Sequence, residues 1–345
     1  MILAGPLQVR EASQTAQARR AAVAVAHDLG FDDHDAARVA LVATEAATNL
    51  VRHGGGGEML LLPLHEAPGP AVQILALDTG PGFALNVARR DGYSTTGTAG
   101  TGLGAIARAS DLFSVYSRPG MGTALLSEVR SRGRRRAPGS RFAMGGFSVP
   151  KPGEQVCGDG WNVSRKDDVL TIVLVDGLGH GPGAAGASLE ALKTFRAQPG
   201  LPPVEQIKAL HAALHATRGA AAAVASVDAR LGTVRFAGVG NTLGMIDGGE
   251  RVRHLVSHNG TVGHELPRVQ EFTYPWPPGS VLLMASDGLT TRLGLDGHPG
   301  LRSYPPALVA AVLYRDYRRG RDDATVLVVR EDRTEGRPEE GKDVE

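Results

Sequence analysis

The chain has 345 residues, a formal net charge of +1 and a single cysteine, Cys157. That length is beyond one ordinary domain and points to two. The near-neutral charge gives no reason to expect nucleic acid as a partner, and one cysteine allows no intrachain disulfide. No apolar run approaches the roughly 20 residues of a membrane-spanning helix, and the N-terminus lacks the basic-then-apolar pattern of a signal peptide. A soluble, cytoplasmic protein is expected.

In chain order, Ser13–Leu29 has helical spacing that breaks at Gly30. Asp32 or Asp33 can cap a second helix over Asp35–Arg52, whose Val39, Val42, Ala43, Ala46 and Leu50 follow the helical period. Met59–Leu64 and Val72–Leu77 read as strands around a Pro/Gly turn at Pro68–Pro70. A glycine-rich loop leads to a helix at Ala105–Ser110, followed by strands Ser114–Ser117 and Thr123–Val129. This order predicts an α/β sandwich, with helices on one face of a mixed sheet.

Ser131–Arg141 (SRGRRRAPGSR) mixes Arg with Gly, Pro and Ser and reads as a linker. Beyond it, strands are expected at Ala143–Val149, Val169–Val175, Ala222–Val227, Thr233–Val239, Leu243–Ile246, Val281–Met284 and Thr325–Val329. Helices are expected at Gly183–Arg196, Pro203–Thr217 and Pro305–Tyr317, and Glu331–Glu345 reads as a disordered tail. The expected fold class is α+β in two domains, residues 1–130 and 142–330, joined by a linker at 131–141. The second domain would consist of two stacked sheets flanked by helices.

Three features of the first segment carry chemistry. Glu45 and Asn49 are four apart and share a helix face, a spacing at which a carboxamide oxygen can hold Mg²⁺ while the carboxylate orients the attacking group. Asp78-Thr79-Gly80-Pro81-Gly82 follows a strand, where a buried Asp can accept the exocyclic amine of adenine. Gly100-Thr101-Gly102-Leu103-Gly104 precedes a helix and can offer amide donors to phosphate oxygens.

The ordered trio EAATNLVRH, DTGPGF and GTGLG resembles the ATP-binding fold shared by DNA gyrase, sensor histidine kinases and anti-sigma-factor serine kinases. Asp91-Gly92-Tyr93-Ser94-Thr95 is similar to the switch kinases of the RsbT type. The resemblance implies Glu45 as base, Asn49 as Mg²⁺ ligand, Asp78 as adenine reader, and Gly80, Gly82, Gly100, Gly102 and Gly104 as nucleotide-binding glycines. The implied acceptor is a serine or threonine of a STAS-domain protein. The alternative is a domain that binds ATP or a partner only as a switch.

In the second segment Asp159, Asp176, Asp287 and the pair Asp322/Asp323 stand beside apolar runs, so that strand ends deliver carboxylates to one place. The stretches CGDGWNV, VLVDGLGHGPGAAGAS, FAGVGNT, LLMASDGL and RDDATVLVV resemble metal-dependent PPM (type 2C) phosphatases, more narrowly the SpoIIE and RsbX branch. That resemblance implies an αββα sandwich and two Mn²⁺ or Mg²⁺ ions. Asp159, Asp176, Asp287 and Asp322 or Asp323 would be ligands, with Asp322 favoured, and Gly177 would bind through its carbonyl. It also implies hydrolysis of phosphoserine or phosphothreonine by a metal-activated water. His180 either protonates the leaving oxygen or simply packs its turn, and Asn241 is expected to help shape the pocket. Cys157, Trp161 and Trp276 read as packing residues.

The two resemblances together imply a bifunctional partner-switching regulator, which phosphorylates and dephosphorylates STAS-type proteins or a stressosome-like complex. The alternative is a phosphatase regulated by a nucleotide-binding module. Homodimerisation through the N-terminal sheet or the Gly183–Arg196 helix is a further expectation.

Overall fold

A computed structural model describes residues 5–65, 69–84, 101–132, 140–266 and 268–332. Gly100, the Asp91–Thr95 stretch and residues 133–139 of the expected linker lie outside the described residues, as do residues 333–345 of the expected tail.

The first half contains β1 (Leu7–Val9), α1 (Ala12–Asp28), α2 (Asp33–Arg52), β2 (Gly57–Leu64), β3 (Ala71–Leu77), α3 (Thr101–Ala109), β4 (Leu112–Ser117) and β5 (Thr123–Arg130). Of the two capping candidates it is Asp32 that closes α2, its Oδ1 accepting from Asp35 N at 2.7 Å. The sheet order is β1-β2-β3-β5-β4 and every pairing is antiparallel. The expectation of a mixed sheet is therefore corrected. Strands β3 and β4 run in the same direction with α3 between them in sequence, but β5 lies between them and pairs antiparallel with both, so no two neighbouring strands are parallel.

Alternation along β2, β3 and β5 divides their apolar residues between two faces. Met59, Val72, Ile74, Ala76, Leu125 and Val129 pack on the helices. Leu60, Leu62, Leu75, Leu77, Ala124 and Leu126 point the other way and are also buried.

The second half opens with β6 (Phe142–Val149), β7 (Asp159–Lys166) and β8 (Val169–Gly177). Helices α4 (Pro182–Ala197) and α5 (Pro203–Leu214) follow, then β9 (Ala220–Asp228), β10 (Thr233–Val239) and β11 (Leu243–Asp247). Short strands β12 (Val252–His254), β13 (Ser257–His258) and β14 (Phe272–Pro275) precede β15 (Val281–Ala285), α6 (Pro306–Tyr317) and β16 (Ala324–Glu331). One sheet runs β13-β10-β9-β8-β7, with β14 also on β10; the other runs β12-β11-β15-β16-β6. Their facing surfaces bury Leu170, Ile172, Leu174 and Phe236 against Leu282, Met284, Leu327 and Val329. Helices α4 and α5 cover the outer face of the first sheet through Phe195, Ile207 and Leu210.

Helix α6 covers the outer face of the second sheet, and its other side receives the free face of the N-terminal sheet. One apolar cluster runs from Leu60, Leu75 and Leu126 through Leu308–Tyr314 to Phe147, Leu283 and Val328. All ten residues Pro306–Arg315 are buried, as expected of a helix that is apolar on every side. The layers therefore run helices, sheet, sheet, α6, sheet, helices. No described helix is long and apolar enough to cross a membrane.

Candidate functional site

The first site lies where α2, the end of β3 and α3 meet. Glu45 and Asn49 are both half-buried on one face of α2. Gly102 sits directly over them: a Cβ there would stand 3.1 Å from Glu45 Oε2 and 3.6 Å from Asn49 Oδ1. Asn49 Nδ2 is buried without a hydrogen-bond partner, an unmet group of the kind a bound ligand satisfies. Gly102 and Gly104 fall inside the first turn of α3 rather than before it, which corrects the expected start at Ala105. The first-turn amides have no partner within the helix, so the donor role expected of this segment is available from that turn.

Asp78 follows β3 and is 8% exposed. Its Oδ1 accepts from Gly80 N at 2.9 Å and Thr123 N at 3.1 Å. Burial raises its carboxyl above the ordinary range, against those two amides. Backbone crowds this corner. Gly82 and Gly122 both have positive φ (59° and 69°), and side chains there would collide with the carbonyls of Arg118 and Asp78 respectively.

The second site lies at one end of the stacked sheets. Asp159 opens β7 and stands opposite Asp176 of β8 in the antiparallel register. Asp287 follows β15, and Asp322-Asp323 precede β16, which pairs with β15. Asp159 is buried and its Oδ2 has no hydrogen-bond partner. Burial, and then the adjacent Asp176 carboxylate, push Asp159 well above the usual carboxylate range. Asp176 is raised by burial and by Asp287 and Asp322. Asp287 is raised by burial and Asp322, against Arg319 and Arg321. Carboxylates this crowded call for cationic charge, and an all-oxygen set suits a hard divalent ion. Among the described residues no three acidic, histidine or cysteine side chains are grouped as they stand in a way that could hold a metal ion.

The Asp322/Asp323 pair divides cleanly. Asp323 is 3% exposed, and its two oxygens accept from Lys151 N at 2.8 Å and Gly158 N at 2.9 Å. It latches the strand carrying Asp159 to β16. Asp322 is less buried, and its Oδ1 accepts the amide of Asp323 at 3.0 Å. Asn241 donates to Asp287 Oδ2 at 2.6 Å. His180 is half-exposed, with its Nδ1 2.6 Å from Glu154 Oε1.

Gly177 packs its backbone against Ala184 and Gly158. Cys157 is buried, and burial pushes its thiol up. Trp276 is buried with its Nε1 donating to Glu331, whereas Trp161 is only partly buried. Two polar residues beside these sites were not singled out from the sequence. Glu154 carries no motif, and Arg315, which reaches Asp78, comes from the other half of the chain.

Residues 166–332 match the family model for Stage II sporulation protein E (SpoIIE), and residues 9–127 match the histidine kinase-like ATPase domain. The serine/threonine-protein kinase RsbT of Bacillus subtilis (strain 168) is 35% identical over 100 residues, which is 29% of this chain and 75% of that protein. The chain belongs to the RsbT family. Its C-terminal half adds a SpoIIE-type PPM phosphatase domain to the ATPase domain. A solved chain from a bacterial stressosome, described as a modular system adapted to control secondary messenger signaling, is 28% identical at a TM-score of 0.50. The match covers 55% of this chain and 99% of that one. The phosphatase domain and regulatory-domain fragment of SpoIIE from Bacillus subtilis is 17% identical at a TM-score of 0.48, covering 93% of this chain and 94% of that chain.

Proposed function

We propose that this chain sets the phosphorylation state of a serine or threonine on a STAS-domain protein, adding phosphate with its N-terminal half and removing it with its C-terminal half. The observation that carries the reading is the gathering of Asp159, Asp176, Asp287 and Asp322 at one sheet end, in a chain whose other half pairs Glu45 and Asn49 beneath Gly102. The relationship to RsbT and the similarity to a stressosome chain support a partner of that class.

In the phosphatase half, Asp159, Asp176, Asp287, Asp322 and the Gly177 carbonyl would hold two Mn²⁺ or Mg²⁺ ions. Such ions supply an activated water and neutralise phosphoryl charge. Asp323 holds the ligand strands together through backbone amides, and Asn241 fixes the rotamer of Asp287. His180, whose Nδ1 lies 2.6 Å from Glu154 Oε1, would return a proton to the leaving serine oxygen. In the ATPase half, Asp78 would read adenine and Asn49 would carry Mg²⁺ with ATP. The carboxylate of Glu45 would take the proton from the acceptor hydroxyl.

Labelled ATP, Asp176→Asn protein and candidate STAS-domain proteins test both halves. The expected result is label on a STAS serine or threonine that wild-type protein removes with Mn²⁺. Absence of transfer, with nucleotide binding intact, would reduce the N-terminal half to a nucleotide switch. That second reading has an observation of its own in its favour: the Asp78 corner is tied directly to the phosphatase half.

A further inference from the structure

Helix α6 belongs to the phosphatase half, yet its C-terminal turn touches both sites. Arg315 is 8% exposed, and its Nη1 donates to the backbone carbonyl of Asp78 at 3.2 Å across the seam. The same guanidinium is fixed by Asp316, through Nε to Oδ1 at 2.7 Å and Nη2 to Oδ2 at 2.9 Å, and Asp316 is held in turn by His298 at 2.8 Å. One turn on, Arg318 pairs with Glu58 of β2, donates to Tyr314 Oη at 2.8 Å and lies 5.0 Å over the Tyr314 ring.

The backbone of this turn runs into the metal-site loops. Thr290 N donates to Tyr317 O at 2.9 Å and Arg319 N donates to Gly288 O at 2.8 Å, so that Leu289 and Arg318 form an antiparallel bridge. Gly288 follows Asp287 directly, and Asp322 lies four residues beyond Arg318. A cavity of about 270 Å³ lies at this point, lined by Glu58, Lys151, Tyr314, Arg318 and Asp322 among others.

We propose that Arg315 is a positioning residue for the nucleotide site. The C-terminal turn of α6 then couples nucleotide occupancy at Asp78 to the Asp287 and Asp322 loops. This rests on reading the N-terminal half as nucleotide-binding, and it needs no kinase activity. The Asp78 carbonyl belongs to the same residue as the carboxylate that would read adenine. A buried charged donor on that carbonyl fixes the peptide plane and with it the direction of the side chain. A shift of that peptide displaces Arg315, and the rigid turn carries the displacement into the Gly288–Thr290 strand bridge. By linkage the effect is reciprocal: whatever the nucleotide does to the metal loops, metal binding does to nucleotide affinity.

Three measurements on the full chain test the proposal. The first is AMP-PNP affinity by calorimetry in wild type, Arg315→Met and Arg315→Lys, each with its melting temperature. The second is amide hydrogen exchange over residues 286–291 and 314–320, with and without AMP-PNP. The third is p-nitrophenyl phosphate turnover across a Mn²⁺ titration at both nucleotide conditions. Wild type is expected to bind AMP-PNP, to change exchange at the Thr290 and Arg319 amides, and to shift the Mn²⁺ concentration for half-maximal turnover by at least about fivefold, the lower end of ordinary coupling energies.

Arg315→Met is expected to lose at least about tenfold in affinity, as for a charge-assisted hydrogen bond, together with the turnover response. Arg315→Lys should fall between. Wild-type affinity in a folded Arg315→Met protein overturns the proposal alone. So does nucleotide binding by wild type with no change in exchange, a readout that needs no variant to fold. Failure of wild type to bind AMP-PNP overturns the nucleotide reading and the proposal together.

Discussion

At the scale of single residues, the adjacent acids Asp322 and Asp323 look alike in sequence and sit in different surroundings. Asp323 spends both oxygens on the amides of Lys151 and Gly158, so Asp323→Asn places an NH₂ against one N–H donor. A buried donor left unmet costs about 1–3 kcal/mol. The variant should melt lower while its metal-site carboxylates remain. Asp322→Asn should do the reverse, abolishing Mn²⁺-dependent turnover of p-nitrophenyl phosphate at a nearly unchanged melting temperature. If both variants lose activity and neither loses stability, the division of labour is wrong. The sequence favoured Asp322 through resemblance; the reason, two amides waiting for Asp323, is a long-range fact of folding. Asn241 was expected beside the pocket; its hydrogen bond to Asp287 could not be read from the sequence.

Asp35 is a second residue-scale case. It is 1% exposed, and burial works against its charge. The amide of Arg132 at 2.7 Å and the Arg38 guanidinium at 3.0 Å outweigh burial and hold its carboxyl below the usual range. A folded pKa below the unfolded one contributes stability above the unfolded value, about 3.9. That contribution is lost as pH falls through the lower folded value. Arg38 keeps Asp111 as a partner at 2.7 Å, so Asp35→Asn should cost the share of one charged hydrogen bond, about 1.5–3 kcal/mol at neutral pH. Denaturant melts of both proteins across pH 3–7 should converge toward the acid end, and parallel curves would show that Asp35 carries no such linkage.

At the scale of elements, the long strands were readable because their apolar runs are β-branched and punctuated by turn residues. Strand β7 was not: after Asp159 and Gly160 its burial falls away toward Lys166, and WNVSRK carries no clean alternation. Strands β12, β13 and β14 are two to four residues long and have too little pattern to detect. The informative miss is α6. Its span was legible from PALVAAVLY, yet an apolar surface on every side also announces two partners, and the second partner was not drawn from it. The helix rests on β6 at Gly145, where a Cβ would meet Ala307 Cβ at 2.7 Å and backbone atoms closer still. Gly145→Ala should therefore push α6 off the sheet, costing about 1–3 kcal/mol as overpacking does. Because α6 also carries the N-terminal sheet, the same change should weaken AMP-PNP binding at the Asp78 site in the other half of the chain. A melt and a titration on one sample check both effects.

At the scale of the whole molecule, the two halves were legible as two families but not as one packed body. Composition marked a linker, and a linker suggests independence. The structure instead presses five leucines of the N-terminal sheet (Leu60, Leu62, Leu75, Leu77 and Leu126) into the cluster built on α6. At about 1.5–3 kcal/mol for each buried side chain, those five contacts together come to about 8–15 kcal/mol, an upper estimate. That is the size of a typical domain's entire stability. A seam that strong should make the halves unfold as a unit, so calorimetry of the full chain should show one transition rather than two. AMP-PNP should raise that single midpoint, because a ligand bound to either half then stabilises both. Residues 5–132 produced alone would expose that leucine face to water and should aggregate, whereas co-production with residues 140–332 should keep them soluble. Two separate transitions, with only the first moving on nucleotide addition, would mean that the seam is too weak to carry a signal between the sites.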